Sequence, residues 1–153
     1  MYNKTIAVIG ARECNAKISR TAEEVGELLA KGGYTIICGG LGGVMEAVCR
    51  GAKEAGGHTI GILPGSDPED ANRYIDTAIA TGMGINRNLI IIRSASGVIA
   101  LNGGFGTLSE LAFALQLQKP VIGIGTWDVS DNIIAVNTAA EAVDNLSKIL
   151  NKI

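Results

Sequence analysis

Apolar, β-branched runs recur along this chain, and most of them break into glycine. The runs cover residues 5–9, 34–38, 59–63, 75–80, 97–101, 120–124 and, more weakly, 133–136. Their apolarity is largely continuous rather than alternating, which is what strands covered on both faces require, and such strands belong to parallel sheets flanked by helices. Helical stretches separate them at residues 18–31, 43–55, 85–94, 108–118 and 139–150, nearly all closed by glycine or proline. The expected fold is therefore α/β: a Rossmann-like, doubly wound, mostly parallel sheet of six or seven strands with helices on both faces. Aromatic residues make up only 4% of the chain, so Ile, Val, Leu and Ala must fill the core, while 21 glycines shape the turns. With no repeat or linker, residues 1–153 read as one domain.

Charge and cysteine usage exclude several functions. Lys and Arg number 13 against 15 Asp and Glu, with no basic cluster to follow a phosphate backbone, so nucleic acid is not an expected partner. Cys14, Cys38 and Cys49 are odd in number and lack the spacing of a zinc site or disulfide framework; no metal site is expected, and a reducing cytoplasm suits them. The opening apolar run is too brief for a signal peptide, and no later run is long enough to cross a membrane.

Ligands of open α/β sheets bind beyond the carboxyl ends of the strands, where helix N-termini direct free N–H groups at anions. Three turns fall there: residues 8–20 with Gly10, residues 38–47 with Gly39, Gly40, Gly42 and Gly43, and residues 102–110 with Gly103, Gly104 and Gly106. None carries GxxxxGK[ST] or GxGxxG, and strand two ends in glycine instead of the acid that binds a dinucleotide ribose, which disfavours an NAD dehydrogenase. The glycines bring bare backbone near a phosphate, or they only close tight turns. Thr107 to Glu110 has the form of a capping box, as do Thr21 to Glu24 and Thr138 to Glu141, but only the first follows a double glycine. Arg87 is expected in the first turn of its helix, where a cation is unfavourable unless an anion lies near. Arg93 reads as a surface charge, His58 as structural, and residues 64–73 as a polar loop able to cover a site.

The combination of CGGLGGVMEAV, GINRN and NGGFGTLSE, extending over nearly the whole chain, resembles the Lonely Guy phosphoribohydrolases and the related molybdenum-cofactor carrier proteins, a group labelled lysine-decarboxylase-like. In the hydrolases an Arg-Lys pair precedes Pro-Gly-Gly-x-Gly-Thr-x-x-Glu; here Arg87 stands fifteen positions before Asn102. The resemblance implies phosphate binding by Gly103, Gly104, Gly106 and Thr107, a second glycine loop at residues 39–43, and, if the chain is a hydrolase, catalysis by Arg87 and Glu110. Asn88 replaces the Lys and Asn102 the Pro, and an Arg-Asn pair resembles the carrier branch, in which Arg87 and Asn88 are expected to join the glycine turns in binding the ligand. The resemblance thus implies a homo-oligomeric (dimer or tetramer) binding or carrier protein for a small phosphorylated ligand, a nucleotide or a molybdenum-cofactor type of pterin. The alternatives are a nucleoside 5′-monophosphate phosphoribohydrolase, which would not be a lysine decarboxylase, and a scaffold whose turns are only structural.

Overall fold

The computed structural model describes residues 4–152. Residues 1–3 and 153, at the margins of the expected domain, lie outside that range. Seven strands form one sheet: β1 Thr5–Gly10, β2 Thr35–Cys38, β3 Thr59–Leu63, β4 Thr77–Ala80, β5 Gly97–Leu101, β6 Val121–Ile124 and β7 Ile133–Val136. Every neighbouring pair is parallel, in the order β4-β3-β2-β1-β5-β6-β7. The chain runs outward from β1 to β4, then returns to the other side of β1 as β5. This makes the β1/β5 boundary the switch point, where a crevice opens at the carboxyl edge.

Five helices cover the sheet: α1 Ala16–Lys31, α2 Val44–Glu54, α3 Asn88–Arg93, α4 Phe105–Gln116 and α5 Ala139–Leu150. The period-two alternation of each strand divides the core in two. Ile6, Val8, Ile36, Cys38, Ile99 and Leu101 face one layer, with buried residues of α1, α2 and α5. Ala7, Ile9, Ile37, Val98 and Ala100 face the other, with Ile91 and Ile92 of α3 and Leu111 and Ala114 of α4. The five central strands are covered on both faces, which accounts for their continuous apolar runs, whereas the edge strands β4 and β7 are half exposed.

Helices α1 and α2 touch backbone to backbone. A Cβ at Gly51 would overlap the carbonyl oxygen of Glu23, and one at Gly26 the carbonyl oxygen of Val48. Backbone cannot swing aside as a flexible side chain can, so Gly51→Ala must separate the helices. The expected loss is about 1–3 kcal/mol, read as a lower urea midpoint at unchanged slope.

Several boundaries differ from expectation for local reasons. Helix α1 starts at Ala16 because the Asn15 side chain accepts the Ile18 N–H (2.9 Å) as its cap. Thr21 is consequently mid-helix, its hydroxyl donating to the Lys17 carbonyl (3.1 Å). At α5 the capping box does form: Thr138 Oγ1 accepts from the Glu141 N–H and the Glu141 carboxylate from the Asn137 N–H. The expected 85–94 helix divides into a 3-10 turn, Gly84–Arg87, and α3. Strand β4 starts at Thr77, because Ile75 closes a turn onto Asn72.

Candidate functional site

A cavity of about 860 Å³ opens at the switch point, within the size range of small-molecule sites. The turn after β1 supplies Gly10, Ala11, Arg12 and Glu13; the turn after β2 supplies Gly39, Leu41 and Gly42; α4 and its entry supply Gly104, Gly106, Thr107 and Glu110. Met45, Pro64, Ile85, Arg87 and Asn88 complete most of the wall. Three of the anticipated glycines do not line it. Gly40, at φ +78°, lies against Leu63 and Gly61; Gly43, at φ +64°, packs on the Ala11 and Arg12 backbone; Gly103 faces a smaller neighbouring cavity.

Two helices start at this cavity without side-chain caps, α2 from Gly43 and α4 from Gly104. The Val44 N–H is taken by the Ala11 carbonyl (3.0 Å), fastening the first turn to the second. Helix α4 begins at Phe105, three residues ahead of expectation, and that overturns the capping reading of Thr107 and Glu110. Both lie inside the helix, buried, and neither serves as its cap. Its first-turn N–H groups are left for a ligand, and an anion is what suits them.

Arg87 is also unlike its expectation. It is buried at the junction of the 3-10 turn and α3, and protein acceptors already hold its guanidinium: Nε donates to the Ile62 carbonyl (3.0 Å), Nη1 to Asn88 Oδ1 (2.9 Å) and Nη2 to the Gly39 carbonyl (3.3 Å). The fork thereby ties the ends of β2 and β3 to α3, and its charge needs no bound anion to be accommodated. Asn88 continues the chain of bonds, donating through Nδ2 to Ser109 Oγ (3.0 Å) and the Gly106 carbonyl (3.4 Å). It is 3% exposed, and it joins the arginine to the first turn of α4.

Glu110 stands opposite. It lines the cavity at 8% exposure, and no hydrogen bond within the described residues stabilises its charge. Burial pushes its carboxyl up to about 8, with the Arg87 cation offsetting part of the rise. The shift favours the protonated form, which can donate a hydrogen bond. Arg87 then presents a positive charge with no carboxylate in the cavity to cancel it except that of the exposed Glu13, which sits beside Arg12. The wall as a whole combines free helix N–H groups, a fixed cation and a neutral carboxyl donor, a set suited to an oxyanion-rich ligand.

The glycine turn of α4 is held in an uncommon shape. Asn102 has φ +46° and Gly103 φ +108°. The Asn102 N–H bonds to the Ile124 carbonyl (3.1 Å) and its own carbonyl accepts from Thr126 Oγ1 (2.8 Å), so the turn is braced from β6 and the loop beyond it. The polar loop at 64–73 is braced too: Asn72 bonds to the Gly40 and Leu41 carbonyls (2.9 Å each), and Pro64 reaches the cavity. His58 contacts Thr77 and Asp76, away from the cavity lining, and Arg93 is exposed.

Sequence reasoning did not name Arg12, Glu13, Met45 or Ile85 as lining residues, although the first three fall within the turns at 8–20 and 38–47, and Pro64 opens the loop expected to cover a site. Arg12 and Glu13 follow Gly10 after one residue, Ala11, at the end of the switch-point strand, a position that could have flagged them. Met45 and Ile85 come from separate elements and carry no local mark.

Comparison with known proteins gives a consistent picture. The model of the SLOG cluster4 family matches residues 3–150. The chain is 32% identical over 142 residues to a cytokinin riboside 5′-monophosphate phosphoribohydrolase of Mycobacterium tuberculosis, covering 86% of this chain and 75% of that one. Among solved structures it is similar to the molybdenum cofactor binding protein of Rippkaea orientalis (TM-score 0.93, 34% identity, 98% and 99% of the two chains). It is also similar to the molybdenum cofactor carrier protein of Chlamydomonas reinhardtii (TM-score 0.91, 31% identity, 98% and 99%).

Proposed function

This chain belongs to the SLOG cluster4 family, and from that premise we propose that it binds and carries a small phosphorylated ligand in the switch-point cavity without transforming it. The ligand is a nucleotide or a pterin of the molybdenum-cofactor type, and the resemblance to the Rippkaea and Chlamydomonas proteins over nearly their whole lengths supports the second. The phosphate lies against the N–H groups of α4 around Gly104, Gly106 and Thr107, with Gly10, Gly39 and Gly42 leaving room for it. Arg87 supplies the charge and Glu110 donates a hydrogen bond.

The observation that carries this reading is the Asn88 bridge: where the hydrolase pattern has a second cation, a buried amide accepts from Arg87 and donates to Ser109 Oγ and the Gly106 carbonyl, and Glu110 stands buried opposite with no hydrogen-bond partner among the described residues. Cleavage of an N-glycosidic bond through a cationic transition state calls for an ionised carboxylate beside the sugar. Here burial raises the carboxyl to about 8, against the pull of the nearby Arg87 cation, which disfavours the ionised form. Asn88 adds no second cation and is itself occupied in holding Arg87 against α4. This arrangement favours binding over charge stabilisation in a reaction.

The second reading, a phosphoribohydrolase, rests on Arg87 and Glu110 lining one cavity and on the similarity to the Mycobacterium enzyme. One experiment separates the two. Incubation with AMP and related monophosphates, followed by chromatography, is expected to yield no free base; base release that disappears in Glu110→Gln selects the hydrolase. A thermal melt against phosphorylated ligands, molybdopterin included, is expected to show stabilisation of about 2.7 kcal/mol at a hundredfold excess over Kd. For a chain of this size that is a rise of roughly 5–10 °C. No rise with any of them leaves only a scaffold.

A homo-oligomer in the cytoplasm completes the proposal. Its three cysteines are free thiols, compatible with a reducing compartment, and no described helix is long and apolar enough to cross a membrane.

A further inference from the structure

Beside the main cavity lies a second, of about 550 Å³, between the turn after β1, the Asn102–Gly104 turn and the loop that follows β6. Its wall includes Cys14, Asn102, Gly103, Gly125 and Trp127. Three residues belong to both cavities: Ala11, Glu13 and Gly104. The residue that opens α4 therefore stands between two spaces, one on either side of the crevice.

Trp127 is the chain's single tryptophan, and it is fixed in place. Its indole Nε1 donates to the Gly104 carbonyl (3.1 Å), and its ring stacks on Phe105 with centroids 6.0 Å apart and planes inclined by 26°. Phe105 is 82% exposed, more than any other large apolar side chain described. In a chain with few aromatics, two of them are stacked at the start of the helix whose N–H groups face the main cavity. Trp127 is half-buried against the core layer of α3 and α4, but nothing in the fold calls for the exposed Phe105 stacked on it. Burying Phe105 in the core would have been the stabilising choice, whereas a tryptophan fixed at a cavity wall is what holds a flat ring by stacking.

We propose that the smaller cavity is a second subsite for the same ligand, taking a planar ring against Trp127, so that the ligand is of the dinucleotide class: two ring-bearing halves joined through a pyrophosphate. The pyrophosphate crosses at Gly104, one half occupies the larger cavity, and the other reaches Trp127. Dinucleotides straddle the switch point of such sheets with the pyrophosphate at a helix N-terminus, in the usual case that of the helix after the first strand; this chain lacks that fingerprint, and the helix at the crossing is α4, after β5. Arg12 and Glu13, on the turn between the two spaces, oppose one another in charge and leave the crossing to the backbone. This inference rests on the phosphate site proposed above, and it adds to that proposal the ligand's second half.

Because Trp127 is unique, its fluorescence reports on the second subsite alone. Titration with AMP and with diadenosine pyrophosphate, with affinities measured in parallel by calorimetry, is the test. The dinucleotide is expected to quench the emission and to bind roughly tenfold more tightly than AMP, the gain of one aromatic stack. In Phe105→Ala, whose exposed ring carries little of the fold, and in Trp127→Leu, that advantage should shrink to within about twofold, and Trp127→Phe should recover part of it. If AMP binds but the dinucleotide binds no better and leaves the tryptophan unquenched, the second subsite is refuted and the phosphate site stands. If neither ligand binds, the dinucleotide proposal is refuted, and the phosphate site is decided by the melts with molybdopterin described above.

Discussion

In Glu110→Gln, the stability that the wild-type protein loses between about pH 5 and pH 9 is expected to be retained. Burial raises the folded-state carboxyl from its ordinary 4.5 to about 8, against the opposing pull of the Arg87 cation. Between those two values the folded protein holds a proton that the unfolded chain has released. The unfolded state thus binds fewer protons, and stability falls as pH rises through this window, levelling off above it. At about 1.4 kcal/mol per pH unit the loss is on the order of 3–5 kcal/mol, among the largest effects of any single side chain here. Urea denaturation of both proteins at pH 5, 7 and 9 measures it, with the difference between them isolating Glu110 from every other titrating group. Parallel pH profiles would mean that the carboxyl ionises normally, and the argument for binding over catalysis would lose part of its support. Ligand affinity depends on the folded state alone, so for an anion it should weaken only as pH rises through about 8, where Glu110 ionises.

Arg87→Leu is expected to cost both the fold and the site. Removing the guanidinium leaves the Ile62 and Gly39 carbonyls and Asn88 Oδ1 without their donor. Buried acceptors left unpaired in this way cost about 2–4 kcal/mol in total. The phosphate would lose its cation as well, a further 10- to 100-fold in affinity for a charge-assisted contact. Arg87→Lys keeps the charge without the planar fork, so it should regain part of the affinity and little of the stability. Chemical denaturation and calorimetry on the two variants separate these roles. A leucine variant as stable as the wild type would show that the three bonds contribute nothing.

The central strands were readable because a sheet buried on both faces leaves no polar alternation to confuse the pattern; the half-exposed edge strands β4 and β7 were read from their apolar residues alone, β7 the more weakly. The glycine turns marked the edge where the cavity opens. What could not be read was how each turn enters its helix. Thr107 and Glu110 have the residue types and spacing of a capping box that really forms at Thr138 and Glu141. The double glycine lets α4 begin at Phe105, and that shift of three residues turns two caps into two walls of a cavity. Arg87 was misjudged for a related reason. Its charge was weighed against a helix dipole, but the carbonyls that hold it come from β2 and β3, distant in sequence and brought close only by the sheet order. Trp127 is legible only as a rare residue in a loop; its place beside Gly104 depends on β5 and β6 being neighbours.

The positive φ of Asn102 closes a route that protein engineering would otherwise take first. Proline fixes φ near −65° and has no N–H, so at position 102 it would contradict the +46° backbone and forfeit the bond to Ile124. A lysine at 88 would put an ammonium where a small amide now bridges Arg87 and Ser109 with 3% exposure. Writing the hydrolase signature into this chain letter by letter would therefore not transplant its activity. The motif and the loop that braces it are one mechanical unit, to be exchanged together, from the end of β5 through Thr126.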